Sequence, residues 1–176
     1  MDFLLRLKHW QLFLLMTVPS YFTTFLDSAG IWNFVFFVFY IGWIYTIGMK
    51  MNSFLPSDIR PGTKLFKVHC LLLVGITLFA YNLSAYSQFS PFDSIYNAVF
   101  FTCFLLILIY LQLSIWMFAA RMLESMIEGE IVNRSDSLKA FFCLWMFPIG
   151  VWYIQPAVQR VLAKYETPDA FTDLPA

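Results

Sequence analysis

The chain has 176 residues and no net charge at pH 7. Hydrophobic residues make up 60% of it, aromatic residues 20% and charged residues only 12%, and the mean hydropathy is +0.70. A soluble domain carries about 25% charged residues, and a fold of this size leaves much of its surface in water. The composition therefore excludes an ordinary water-soluble domain and predicts one membrane domain, while the balanced charge gives no general attraction to nucleic acid.

Four long runs of uncharged, mostly apolar residues follow one another along the chain. Each is close in length to the about 20 helical residues that cross a hydrocarbon core. A helix satisfies its backbone within one segment in lipid, and these runs lack the polar alternation of a barrel strand. The sequence therefore predicts an all-α integral membrane protein with four transmembrane helices, at residues 10–26, 31–47, 68–86 and 98–120.

Lysine and arginine residues fall on one side of these four spans. Those before the first span, between the second and third, and after the fourth are Arg6, Lys8, Lys50, Arg60, Lys64, Lys67, Arg121, Arg134 and Lys139. The other two connections carry Asp27 and Asp93 but no positive charge. Positive charges near span ends stay in the cytoplasm, so we expect an inner or plasma membrane protein whose N-terminus is cytoplasmic.

Residues 121–139 form the most polar part of the chain and are predicted to be a cytoplasmic amphipathic segment. Apolar residues recur there at helical offsets and charged residues group apart from them, so we expect the fourth helix to continue beyond the membrane. Gly129 is a candidate for its end, and Ser135 or Ser137 for the N-cap of the next element. The pattern fits a solvated linker or a surface for a protein partner.

The next uncharged stretch, residues 140–154, is short for a fifth crossing. As a helix it would be about 22 Å long, whereas the hydrocarbon core is about 30 Å thick. Pro148 and Gly150 weaken a continuous helix near its middle. We therefore predict a re-entrant or interfacial helical element at residues 140–156. A true crossing would require a thinner bilayer or a longer helix.

The charges after this element favour the same topology. Arg160 and Lys164 would be the only cations outside if the element crossed the membrane. We expect residues 157–176 to be a tail on the cytoplasmic side, which also places the C-terminus there. The residues that we expect to form the interface of the element with lipid or a partner are Trp145, Pro148, Gly150, Trp152, Gln155 and Pro156.

Three segments carry a resemblance. They are RLKHWQLFLL at 6–15, the Glu-rich segment after the fourth span, and FFCLWMFPIGVWYIQPAVQRV at 141–161. The chain resembles uncharacterised small multi-span bacterial membrane proteins that end in a PxGxWxxQP-type motif. The resemblance implies that the C-terminal stretch is a defined element, and no activity comes with it.

Side chains suited to catalysis are scarce in the predicted membrane segments. The four spans contain no Asp, Glu, Lys or Arg, and His9 and His69, the only two histidines, lie at span borders. A proton-coupled transporter typically needs a carboxylate inside the membrane, and an intramembrane metalloprotease needs a motif such as HExxH. The chain also lacks the glycine-rich motifs of nucleotide sites. We therefore predict no enzymatic activity, no cofactor and no metal site.

Two amide side chains, Asn82 in the third span and Gln112 in the fourth, are candidate polar contacts inside the bundle. An unpaired amide is costly in lipid, so each should face a helix, a partner or a water-filled cavity.

Two classes of function remain. One is a non-enzymatic membrane subunit or scaffold that binds a membrane or cytoplasmic protein, or the lipid interface. The alternative is a small channel or transporter for a neutral or apolar solute, lined by Gln112 and the re-entrant element. The sequence leaves the oligomeric state open.

Overall fold

The computed structural model describes residues 3–26, 31–86, 94–147 and 149–166. In this part of the chain all regular secondary structure is helical, so the predicted all-α class is confirmed. The helices are α1 (Phe3–Arg6), α2 (His9–Leu26), α3 (Ile31–Phe54), α4 (Lys64–Tyr86), α5 (Ile95–Glu128), α6 (Leu138–Trp145) and α7 (Ile149–Glu166).

The predicted spans lie within helices α2 to α5, one in each. Among the described residues, two helical segments are long and apolar enough to cross a membrane, judged by length and composition: Trp32–Phe54 and Ile95–Glu128. The apolar segment His9–Val18 of α2 is shorter and does not meet this length requirement. The structure thus supports two of the four expected spans by this measure, and the complete set of four stays a prediction.

The connection between α3 and α4 is anchored by one arginine. The guanidinium of Arg60 donates to the backbone carbonyl of Ser53 at 2.7 Å and to that of Leu55 at 2.7 and 3.1 Å. Carbonyls in the last turn of a helix have no partner within the helix, so Arg60 acts as a side-chain cap for α3. The helix itself continues to Phe54, beyond the predicted span, because Met51 and Asn52 are buried against the rest of the bundle.

Packing is concentrated at one end of the bundle. On α5, all buried residues lie in the second half, residues 111–128, and no residue of the first half, 95–110, is buried. Among the side chains that the structure describes on α3, the buried positions begin at Tyr40 and extend to Asn52. The hydrophobic core therefore occupies the end at which α3 finishes, and the opposite part of α5 is left uncovered by the described chain.

Aromatic rings join the helices at this end. Phe66 of α4 stacks on Phe118 of α5, with ring centres 4.4 Å apart, and on Tyr45 of α3, at 5.7 Å. Gly48 of α3 lies against the same rings, and a Cβ there would be 2.7 Å from the ring of Phe66. We refer to this region, marked by Gly48, Phe66 and Phe118, as the packed end.

Gly129 ends α5, as the sequence predicts. Its φ of +82° is in the left-handed region, which glycine adopts without steric cost, and its N–H donates to the carbonyl of Ser125 at 3.0 Å. The following segment folds back on α5: the Ser125 hydroxyl accepts from the N–H of Val132 at 3.3 Å, and Arg121 donates to the Val132 carbonyl at 2.9 Å. Residues 129–132 therefore pack against the helix end.

Ser137 occupies the N-cap position of α6, but its side chain does not cap the helix. Its hydroxyl donates instead to the carbonyl of Arg134 at 3.0 Å and lies 3.6 Å from the sulfur of Met117. Of the two predicted cap positions, the structure has Ser137, and the expected capping hydrogen bond is replaced by a contact that holds the start of α6 against α5.

Candidate functional site

The stretch predicted to be a re-entrant element is a helix-turn-helix. α6 ends at Trp145 and α7 begins at Ile149, so the helix is interrupted where the sequence predicts; Pro148 itself lies outside the described residues. α7 continues through Pro156 to Glu166, so residues expected to belong to the tail are helical up to that point. We call α6, the turn and α7 the C-terminal hairpin.

Gly150 permits the close approach of the two helices. A Cβ at this position would lie 1.7 Å from the carbonyl oxygen of Cys143 and 2.7 Å from its carbonyl carbon. Those atoms belong to the backbone of α6 and cannot rotate away as a side chain could. The sequence suggested that Gly150 weakens the helix, but the structure gives it another role: it lies within α7, where only glycine fits against α6.

A second contact confirms that the two helices of the hairpin run antiparallel. Lys139, near the start of α6, places its Nζ 5.0 Å from the centre of the Tyr153 ring on α7. A side-chain hydrogen bond with Tyr153 raises the pKa of Lys139. The position of the ammonium beside the ring is that of a cation–π contact between the two helices.

The turn of the hairpin lies beside the middle of α3. The Phe147 ring is 5.2 Å from that of Phe36 and 5.6 Å from that of Tyr40, both in edge-on contact. The Tyr40 hydroxyl donates to the carbonyl of Leu144. That carbonyl lies in the last turn of α6, where it has no partner within the helix, so Tyr40 satisfies a buried acceptor at the point where the chain reverses.

Both outer ends of the hairpin return to the packed end. The start of α6 contacts α5 at Met117, next to Phe118. At the other end, Tyr165 stacks on Phe54, with ring centres 5.5 Å apart, and Glu166 pairs with Lys50, with an Nζ–Oε1 distance of 2.6 Å. The hairpin thus runs from the packed end to the middle of α3 and back.

Gln155 forms the polar centre of the hairpin's contact with the bundle. Its side chain is fully buried, and its Oε1 accepts from the indole Nε1 of Trp43 on α3 at 3.0 Å. Its Nε2 donates to the carbonyls of Leu4, Leu5 and Leu7, at 3.1, 2.9 and 2.7 Å. Two N–H groups are shared among three acceptors, so the whole amide is satisfied away from water.

This amide also determines the conformation of the first residues described. α1 has a single turn, which is too short to be stable alone, and its carbonyls lack intrahelical partners. Gln155 supplies donors to these carbonyls, and Gln159, one turn later on α7, donates to the carbonyl of Leu7 at 2.7 Å. Both glutamines thus fix α1 and the residue after it on α7.

Glu166 joins three elements through charge. Besides its pair with Lys50, it lies 3.6 Å from the Nη2 of Arg6. The Arg6 side chain is 71% exposed, so that pair is weak, whereas the Lys50 and Glu166 side chains are only 22% and 29% exposed. The second contact therefore contributes more to holding the end of α7 beside α3.

The two tryptophans of the motif lie on the outer surface of the hairpin. Trp145 is 54% exposed and Trp152 is 50% exposed. Trp152 also packs against α2, with its ring 4.5 Å from that of His9 and 6.3 Å from that of Phe13. Of the predicted interface residues, Trp145 and Trp152 face outward, Gly150 faces α6, and Gln155 faces the bundle.

The two amides predicted inside the spans are not brought into this cluster. Gln112 is half-buried on α5, and its amide makes no hydrogen bond to another described residue. The side chain of Asn82 lies outside what the structure describes. Between α4 and α5 the polar contact joins His69 and Ser114, whose Nδ1 and Oγ are 2.8 Å apart. The bundle's central amide is therefore Gln155.

Sequence reasoning placed Gln155 at an interface with lipid or a partner, whereas the structure buries it against α3 and α1. Trp43 lies in an uninterrupted apolar run and is separated from Gln155 by 112 residues, so no local pattern links them. Gln159 and Glu166 fell in the segment expected to be a tail. The spacing of Gln155, Gln159 and Glu166 would have predicted their common role only if one helix were expected to continue through Pro156, as α7 does.

The arrangement is suited to holding helices together. The hydrogen bonds of Gln155 go to a tryptophan and to backbone carbonyls. Within the described part of the chain, no group of three or more His, Cys, Asp or Glu side chains is placed to hold a metal ion.

No protein-family model matches the chain, and neither a curated protein nor a solved structure is detectably similar to it. Function must therefore be inferred from the geometry of the chain itself.

Proposed function

We propose that the chain is a four-span integral membrane protein of the cell membrane that acts as a non-enzymatic subunit or scaffold for a protein partner. In this proposal α2 to α5 cross the bilayer, the packed end is cytoplasmic, and the C-terminal hairpin enters the cytoplasmic leaflet and returns. The partner binds the outer face of the hairpin.

The uncovered half of α5 supports a lipid environment. The most apolar window of this helix has a mean hydropathy of 2.4, yet only 11% of it is buried. Leu106 and Tyr110, for example, are 61% and 63% exposed. The core helix of a soluble protein would be covered by other elements, and an apolar surface of this extent is unfavourable in water. Lipid chains are the solvent that matches it.

The dimensions of the hairpin support re-entry. Its turn contacts Phe36 and Tyr40, whereas its ends return to the level of Lys50. These positions are ten to fourteen residues apart on α3, or about 15–21 Å at 1.5 Å per residue. The hydrocarbon core is about 30 Å thick, so a hairpin of this depth enters the bilayer without crossing it.

Reporter fusions test this topology. A reporter joined after Leu123 and another joined after Ala176 should both give a cytoplasmic signal, because the proposal places both positions on the same side. A cysteine at Ser57, in the connection between α3 and α4, should resist an impermeant reagent in intact cells. A periplasmic or extracellular signal from the Ala176 fusion alone would establish a fifth crossing and contradict re-entry.

The scaffold role is carried by one observation: the hairpin is fixed to the bundle by a fully satisfied buried amide, while its outer face is apolar and exposed. Gln155 uses its hydrogen bonds internally. The exposed residues of the hairpin are Phe142, Trp145, Met146, Ile149, Trp152 and Tyr153. A rigid surface rich in aromatic residues is typical of binding interfaces, and little ordering is required when a partner binds it.

Affinity purification in mild detergent tests the scaffold role. We expect the wild-type chain to retain a stoichiometric protein, and a Trp145→Ala/Ile149→Ala variant to lose it. The matched control is Phe100→Ala/Leu106→Ala, which removes two similarly exposed side chains from α5 and should keep the partner. Thermal unfolding in detergent establishes that all three proteins are folded.

Two outcomes would contradict the scaffold role. One is a partner that both double variants retain equally, because the hairpin would then not be its binding surface. The other is solute-dependent flux in liposomes that contain this chain alone, without a copurifying protein, which would favour a channel or transporter.

A further inference from the structure

A groove separates the end of α5 from α7 at the packed end. It has a volume of about 190 Å³ and is lined by Met126, Ile127, Ala157, Arg160, Val161 and Lys164. Its floor is apolar, whereas its two polar lining residues are both cations. Gln155 and its hydrogen-bond partners do not line the groove.

The two cations of the groove are not engaged by a carboxylate of the described chain, and Lys164 places its Nζ 5.4 Å from the centre of the Tyr165 ring. Arg160 and Lys164 are exposed, and in the described chain neither forms an ion pair. None of the six lining residues is acidic. The nearest carboxylate along α7, Glu166, pairs with Lys50 and Arg6 on other helices. The groove therefore combines an apolar floor with two cations that form no ion pair in the described chain, which is complementary to an anionic amphiphile.

The groove lies at the depth of lipid headgroups if α5 crosses the membrane as proposed. The predicted span of α5 ends at Ala120, and Met126 is six residues further, or about 9 Å along the helix. The headgroup region extends about 5–8 Å beyond the hydrocarbon on each side, so a tilted helix brings Met126 to this layer. The two cations would then face phosphate groups of the cytoplasmic leaflet.

The size of the groove favours part of a lipid over a complete soluble ligand. Its volume is below the about 300–1,000 Å³ of pockets that enclose a small molecule. A phosphate group between Arg160 and Lys164, with the adjoining glycerol and first methylenes on Met126 and Val161, would fill such a space. The acyl chains would continue along the apolar surface of the bundle.

We propose that this groove binds the headgroup of an anionic phospholipid of the cytoplasmic leaflet. The inference rests on the proposed membrane placement, and it is independent of whether the hairpin binds a protein partner. The bound lipid would connect α5 to α7 at the end of the hairpin and stabilise its position against the bundle.

Native mass spectrometry of the full chain in detergent tests the proposal. The probe is an equimolar mixture of phosphatidylglycerol and phosphatidylcholine with identical acyl chains. We expect wild-type protein to retain phosphatidylglycerol preferentially, and Arg160→Gln/Lys164→Gln to bind it about 30-fold more weakly, because each cation contributes separately to anionic lipid binding. The control, Lys67→Gln/Arg134→Gln, removes the same charge from two exposed positions outside the groove and should bind within about threefold of wild type.

The outcomes separate this proposal from the one on which it rests. Release of the chain from membranes by alkaline carbonate would contradict the membrane placement. A chain that resists carbonate but shows no preference for phosphatidylglycerol, or loses it equally in both double variants, would overturn the groove assignment alone. If the Arg160→Gln/Lys164→Gln variant loses a copurifying protein while lipid binding is unchanged, the groove binds an acidic protein segment and the lipid assignment is wrong.

Discussion

The two halves of α5 differ in composition and in surroundings: residues 95–110 carry no charge, whereas residues 111–128 include Arg121, Glu124 and Glu128. In the first half, residues 95–110, no side chain is buried, whereas the second half, residues 111–128, contributes many of the fully buried residues of the core. The second half contacts α3, α4 and α6, and the chain after Gly129 folds back onto it. Burial along α5 is therefore decided by which other elements of the described chain reach each part of the helix.

The C-terminal hairpin covers part of the bundle and contributes to the burial at the packed end. It reaches from the packed end to the level of Phe36 and Tyr40 on α3. Within its range it brings Gln155 to Trp43 and to α1. The same substitution should therefore have different effects within this packed region and at a matched position outside it.

The largest difference should come from the same substitution in the two halves of α5. Leu123 is 1% exposed and Leu106 is 61% exposed. We expect Leu123→Ala to lower the free energy of unfolding by about 2–5 kcal/mol, because it leaves a cavity in a packed core. Leu106→Ala should change it by less than about 0.5 kcal/mol, since an exposed position leaves no cavity. Unfolding by SDS titration in mixed micelles measures both, and equal effects would show that the first half is also packed.

Helix positions could be predicted from the sequence, but burial could not. Uncharged runs of about 20 residues identify helices in lipid, and the four predicted spans all lie within α2 to α5. Leu106 and Leu123 are both apolar residues of one helix, and hydropathy does not distinguish a lipid-facing side chain from a packed one. Which of them is covered depends on contacts between distant parts of the chain.

The second prediction compares two glycines. Gly150→Ala should lower the free energy of unfolding by about 3 kcal/mol, because the new Cβ would meet the backbone carbonyl of Cys143 and force α6 and α7 apart. Gly75→Ala, on the exposed side of α4, has no atom within 4 Å of its Cβ and should be neutral or stabilising by up to about 1 kcal/mol. Thermal unfolding in detergent measures both, and a Gly150→Ala protein as stable as wild type would show that the close approach does not exist.

The role of Gly150 could be predicted from the sequence only in part. Its proximity to Pro148 suggested a helix break, and the break is present between Trp145 and Ile149. The contact with Cys143 depends on the angle at which α7 returns, which no residue spacing specifies. The same holds for Gln155, whose position in the motif was evident but whose partner Trp43 was not.

The third prediction compares two glutamines. Gln155→Leu should destabilise the protein by about 2 kcal/mol, because it leaves the indole N–H of Trp43 and the carbonyls of α1 without a buried partner. Gln112→Leu should cost less than about 0.5 kcal/mol, since no hydrogen bond to a described residue is lost and leucine is well tolerated in a helix. Its effect, if any, should be on assembly.

Two measurements distinguish these variants. SDS titration gives the free energy of unfolding, and the fluorescence of Trp43 should change in Gln155→Leu because its indole environment changes; the other tryptophans provide a constant background in both variants. If Gln112→Leu is the more damaging of the two, the central amide of the bundle has been misassigned.

The smallest effect should come from the charge pair at the end of α7. Glu166→Gln removes the pairing with Lys50, whose side chain is partly buried, and the weaker pairing with the exposed Arg6. We expect a loss of about 0.5–1 kcal/mol at low ionic strength, shrinking as salt screens the wild-type pair. Glu130→Gln, an exposed carboxylate after α5, is the control and should have no effect at any salt concentration. Thermal unfolding in detergent at about 0.02 and 0.5 M salt measures the difference. If the loss of stability in Glu166→Gln is unchanged at high salt, its cause is lost packing of the end of α7 against α3. The contact of Tyr165 with Phe54, rather than charge, would then hold the end of the hairpin.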